Sequence, residues 1–185
     1  KEQYPEIIFI AEVYNPNEYR NYIFNGHFDY LYDKVGLYDT LRSLTCGNNS
    51  ATAIQYQWQN LSGIEKNMLN FLENHDEQRF ASDFFGKDAH NTFAPLYVSL
   101  FLNTAPFMIY FGEEVGEKGM YEEGFSGKDG RTTIFDWWSV GSIRRLRKVI
   151  RSGAYKTMDI KELTKEGLKK EEAEVFVRFA EAIRF

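Results

Sequence analysis

The sequence is poor in cysteine and proline and holds no long apolar run, and each shortage excludes something. Cys46 is the only cysteine in 185 residues, so no internal disulfide can form, a disulfide-stapled scaffold is excluded, and the redox compartment is left open. With 14 glycines and 4 prolines the chain is neither collagen-like nor a low-complexity tract. Its longest apolar stretch, Pro95 to Phe111, is broken by Ser99, Asn103, Thr104 and Pro106 and falls short of the roughly 20 apolar residues that a bilayer core demands. No membrane partner is expected. Basic residues are outnumbered, 22 against 27 acidic ones for a net charge of −5. Without a Lys/Arg stripe the chain lacks the footprint for gripping phosphate backbones, so no nucleic-acid partner is expected either. What is present is a 43% hydrophobic, 17% aromatic chain, enough to bury a core.

The chain starts Lys1-Glu2-Gln3-Tyr4, with neither an initiator Met nor a signal-peptide pattern. It reads as the mature or trimmed part of something longer, and its localisation is not assigned.

Periodicity divides the chain into short apolar runs and helical stretches. Ile7-Ile8-Phe9-Ile10-Ala11 reads as a strand buried on both faces. Tyr22 to Asp29 is a weaker strand candidate, Met68 to Leu72 a third, and Phe107 to Phe111 a fourth. Between them Leu37, Leu41 and Leu44 recur at helical spacing, Ala53 to Leu61 continues as helix, and Phe93 to Thr104 reads as a well-buried helix. Alternating strand and helix predicts βα units around a parallel sheet. Beyond Trp138, Ile143 to Ile150 reads as an amphipathic helix with a basic face. Val175 to Phe179 alternates like a strand among helix-favouring neighbours, and Lys161 to Glu174 reads as a charged, solvated surface.

The clearer strands stop at carboxylates: Glu12, Asp76, and Glu113 or Glu114. In a βα architecture the carboxyl ends of the strands form the functional face, so these acids are expected on one rim. Paired carboxylates in an aromatic-rich chain suit glycoside hydrolysis, one as acid and one as nucleophile. Strand-end acids serve equally as helix caps or as partners of Arg and Lys; Glu113 and Glu114, after Gly112, read as a cap as readily as a substrate contact. His75 reads equally as a core histidine, His27 as a turn residue and His90 as an ordinary one. Asp136-Trp137-Trp138 reads as aromatic packing. No His, Cys, Asp and Glu cluster has metal-ligand spacing, and no metal residue is named.

Several motifs in order sharpen this. Phe9-Ile10-Ala11-Glu12-Val13-Tyr14 resembles the strand that carries the general acid/base of the α-amylase superfamily, glycoside hydrolase family 13. Phe71-Leu72-Glu73-Asn74-His75-Asp76 is similar to that family's Asn-His-Asp motif on strand seven. Pro106 to Gly116 resembles its strand-eight segment and Asp129 to Trp137 the loop that follows. The likeness spans roughly residues 5 to 138. It implies an α/β fold: a partial (β/α)8 TIM barrel of strands five to eight with their intervening helices, over residues 1–140, followed by a last helix region and tail over 141–185. It also implies roles. Glu12 would be the general acid and base and Asp76 the second catalytic acid, holding ring hydroxyls and stabilising an oxocarbenium-like transition state. His75 would hydrogen-bond the sugar; Arg79 and Tyr14 would lie near substrate. The implied partner is an α-glucan, starch or a maltooligosaccharide.

The sequence departs from that family in length. A complete barrel takes about 250 residues, and the family's Asp nucleophile lies upstream of the Glu motif, whereas eleven residues precede Glu12 and none is Asp. The calcium ligands of the family's inserted domain are likewise missing, so no cofactor is expected in this chain and calcium belongs to a full-length parent. Hydrolysis by this polypeptide alone is expected to be negligible, and a noncatalytic carbohydrate-binding or scaffold protein of the same fold is the alternative. An open half-barrel exposes sheet edges, so self-association, or contact with the missing barrel half, is expected.

Overall fold

The computed structural model describes residues 1–119, 129–132 and 140–184. They form two compact units, one of residues 1–71 and 98–108, the other of residues 72–97 and 109–185. Asp136, Trp137 and Trp138, for which aromatic packing was expected, lie outside the described residues.

The first unit holds the sheet. Four strands, β1 (Ile10–Ala11), β2 (Tyr30–Tyr32), β3 (Met68–Phe71) and β4 (Phe107–Met108), run parallel in the order β1-β2-β3-β4. Ile10 stands opposite Tyr30, Leu31 opposite Met68, and Asn70 opposite Phe107. A doubly wound sheet reverses its strand order at a switch point. Here each strand neighbours the next one in sequence, which is how a (β/α) barrel wall winds, although the described strands do not close on themselves.

Helices fill the connections: α1 (Tyr19–Phe24), α2 (Asp39–Thr45), α3 (Thr52–Asn60) and α4 (Phe93–Phe101). The core of the first unit comprises Val13, Tyr19, Ile23, Leu31, Leu61, Ile64 and Met68. β3 is buried along its whole length, and its Asn70 donates from Nδ2 to the Ser99 carbonyl at 2.9 Å.

Three strand expectations are corrected. Tyr22-Ile23-Phe24 is helix, not strand: Asn15 caps a one-turn helix at Pro16–Glu18 that leads into α1, and Tyr19 and Ile23, four apart, bury one helical face. The strand follows a turn through His27, which is left-handed at φ 55°, in keeping with its reading as a turn residue. The run Ile7–Ala11 is paired over only two residues and is exposed rather than buried on both faces, with Ile8 at 61% and Ile10 at 50%. It is an edge strand whose one sheet neighbour among the described residues is β2. Similarly, β4 ends at Met108, because the Tyr110 amide turns back to donate to Glu113 Oε2 at 3.1 Å.

The second unit is mainly helical, with α5 (Gly141–Ser152), α6 (Ile160–Lys165) and α7 (Lys170–Arg184). Ser142, Leu146 and Val149 form the buried stripe of α5, while Arg144, Arg147 and Lys148 face solvent, matching the amphipathic reading. Val175 to Phe179 is helix. Glu172, Val175, Phe179 and Ala182 recur at three and four residues as the buried stripe of α7. Lys161 to Glu174 is not wholly solvated. Leu163, Leu168 and Ala173 join Val115, Leu146 and Val149 in the core, and Glu172 is buried because Arg145 Nε reaches its Oε2 at 2.9 Å. No described helix is long and apolar enough to cross a membrane.

Candidate active site

In the first unit the chain stays extended past β1, and its side chains alternate. Ala11 and Val13 turn toward the core; Glu12 and Tyr14 are exposed on the other side. Asn15, whose side chain accepts from the Asn17 amide at 3.2 Å, then stops the extended run. Glu12 is thereby a solvent-facing carboxylate at the carboxyl end of a parallel strand, the end that carries function in βα folds. The carboxyl end of β2 bears a second acid, Asp33, but this one is buried. Its Oδ1 accepts from the Leu37 amide at 2.9 Å, and burial pushes its carboxyl up to about 6. Asp33 does not stand out in the sequence, because Tyr22 to Asp29 rather than Tyr30 to Tyr32 reads as the strand; an Asp before Lys34-Val35-Gly36 at the entry to a helix is the available signal.

In the second unit the residues that follow β3 form a tight turn with its charges sorted by depth. Glu73 and Arg79 are buried, at 1% and 0% exposure, whereas His75 and Asp76 are exposed. Asn74 shapes the turn, its Oδ1 accepting from the Asp76 amide at 2.9 Å and the Glu77 amide at 2.8 Å. Below it Glu73 Oε1 accepts from the Phe80 amide at 2.7 Å and Oε2 from Arg79 Nη1 at 2.6 Å. Arg79 Nε donates to Thr132 Oγ1 at 2.7 Å, and the guanidinium lies 4.6 Å from the Tyr110 ring centroid and 4.9 Å from that of Phe111. A buried pair of this kind is costly to break, about 3–5 kcal/mol when one partner is removed and the other left charged.

Two more carboxyls share this interior. Gly112 and Gly116, both left-handed, bracket a single turn at Glu113–Val115. Glu113 is buried there, its pKa pushed well above the usual range by desolvation and by the charge of Glu73, and burial raises Glu114 likewise. Glu113 thus folds back on its own loop through the Tyr110 amide.

The predicted residues therefore fall as follows. Glu12 and Tyr14 are exposed in the first unit; His75 and Asp76 are exposed in the second, with His75 Nε2 3.6 Å from Asp76 Oδ2. Arg79 is wholly enclosed, and its partner Glu73, which the sequence reading passed over, sits in the motif itself. Sequence spacing named no metal ligand, yet the fold draws Asp88, His90 and Glu171 together. Both ring nitrogens of His90 are already engaged, Nδ1 with Asp88 Oδ1 at 3.0 Å and Nε2 with Glu174 Oε2 at 3.3 Å. The Asp88 bond is the main reason its pKa is raised.

The family model for the catalytic domain of alpha amylase matches residues 1–173. The chain belongs to that family. Comparisons with curated proteins and with solved structures gave no match. The α-amylase match extends past the expected limit near residue 138, through α5 and α6 and into α7. It makes the chain part of a glycoside-hydrolase-type catalytic family, whose barrel fold accords with the parallel sheet and helix-filled connections of the first unit.

Proposed function

We propose that this α-amylase-family chain contributes strands five to eight of a (β/α)8 barrel to a retaining hydrolase of α-1,4-glucosidic bonds in starch or maltooligosaccharides. The observation that carries this reading is the family match over residues 1–173 joined to exposed acids in the two places where the motif resemblance sets its catalytic carboxyls. Glu12 would protonate the glycosidic oxygen as the C–O bond breaks and then take a proton from the attacking water. Asp76 would hold ring hydroxyls and oppose the positive charge of the oxocarbenium-like transition state. The Asn74 anchors support that role, since a carboxylate on a rigid turn need not be reoriented during reaction. His75 would donate to the same sugar, and Tyr14 would flank the leaving-group side. The covalent intermediate of a retaining mechanism forms on the family's strand-four Asp, for which this sequence shows no matching motif.

The test is product analysis of the full-length protein on starch, cyclodextrin and maltooligosaccharides, with the anomer of the fresh product read by proton NMR. Release of α-anomeric maltooligosaccharides is expected. β-Anomeric product would overturn retention, and maltooligosaccharide binding without turnover would favour the noncatalytic carbohydrate-binding alternative.

A further inference from the structure

Arg79 is enclosed and cannot be a direct sugar contact, yet its bonds converge on the turn that bears Asp76. Glu73 enters that turn and Phe80 leaves it. One carboxylate, that of Glu73, ties both ends together by accepting from the Phe80 amide at 2.7 Å and from Arg79 Nη1 at 2.6 Å. Arg79 in turn fastens the exit to a neighbouring segment, its amide donating to the Gly130 carbonyl at 2.6 Å and its Nε to Thr132 Oγ1 at 2.7 Å. Gln78 adds a third tie, from Nε2 to the Asp129 carbonyl at 2.8 Å. The flat guanidinium is fixed besides by the rings of Tyr110 and Phe111. Every one of these anchors holds the base of the turn, while His75 and Asp76 at its tip are exposed.

We propose that Glu73 and Arg79 are a pair of positioning residues that set the Asn74–Gln78 turn, so that Asp76 is held in one place without either residue meeting substrate. The catalytic part of this inference rests on the reading of Asp76 given above; the mechanical part does not. A merely structural pair would affect the stability of the whole unit, whereas a positioning pair also governs local order in the turn and the rate of the chemical step.

The experiment uses the full-length protein with Glu73→Gln, Arg79→Lys and the double variant Glu73→Gln/Arg79→Met, which replaces the charged pair by groups of similar size. Hydrogen exchange is followed by mass spectrometry on peptides covering residues 74–80 and, as the internal reference, α5 and α7. In the single variants exchange in 74–80 is expected to rise at least tenfold while the two helices keep their protection. On maltooligosaccharide kcat is expected to fall ten- to a hundredfold with KM within about twofold. The double variant is expected to recover the melting temperature but not kcat or the protection of 74–80. Unchanged exchange in 74–80 in the single variants, or full recovery of that protection in the double variant, overturns the proposal. A wild-type protein inert on every α-glucan would overturn the functional reading instead, and the exchange data would still decide whether the pair sets the turn.

Discussion

Gly36 lies so close to the Asp33 carboxylate that a Cβ there would come within 2.2 Å of Asp33 Oδ1. That oxygen is held by the Leu37 amide, and Gly36 has no positive φ. Glycine is therefore required by contact, not by backbone conformation. Gly36→Ala is expected to lower stability by about 1–3 kcal/mol, read as a fall in melting temperature. Combined with Asp33→Ala, which removes the obstructing oxygens, the glycine substitution is expected to cost far less. Strict additivity in that double-mutant cycle would contradict the contact.

Asp33 also gives a pH signature. Burial holds its folded pKa up at about 6, above the roughly 3.9 of an unfolded Asp. Between those values the folded state binds more protons than the unfolded one, so this group makes stability fall as pH rises from about 4 to 6, with no further loss above. Asp33→Asn keeps the Oδ1 acceptor and removes the titration. Relative to the parent it is expected to gain on the order of 1–3 kcal/mol at pH 7.5 and little at pH 4. Urea unfolding at the two pH values measures the difference; an equal effect at both would rule out titration as its source.

For Glu12, removal of the proton while shape is kept is the informative change. In the full-length protein Glu12→Gln is expected to lower kcat by about 10²–10⁴-fold while maltooligosaccharide still binds within a few-fold of the parent affinity. Asp76→Asn is expected to lower kcat as well, through weaker opposition to developing positive charge. Near-normal turnover by the Glu12 variant, measured with a reducing-sugar assay, would remove that residue from the mechanism.

Legibility in the sequence followed the range of the interactions involved. β3 was readable almost to the residue, since Met68 to Phe71 is apolar enough to be buried throughout. Tyr22 to Phe24 read as strand because Tyr, Ile and Phe favour strands by propensity, and only the Tyr19–Ile23 spacing and the Asn15-Pro16 start betray the helix. Ile7 to Ala11 looked interior by composition, but its exposure depends on how many strands flank it, which no local pattern encodes. The candidate catalytic residues were legible as motifs: Glu12 by its strand and Asp76 by the Asn-His-Asp run. The Glu73–Arg79 pair was not, because spacing of six residues carries no hint that both charges leave water together. Thr132, fifty-three residues beyond Arg79, belongs to that network through tertiary contact alone.

The enclosure of Glu73 with Arg79 also bears on descent. With no solvent at hand to screen an abandoned charge, a lineage that discards one member meets a penalty until it discards the other. Two columns of an alignment are thus coupled into a single inherited choice, and sequences carrying half of the pair should be the scarce ones.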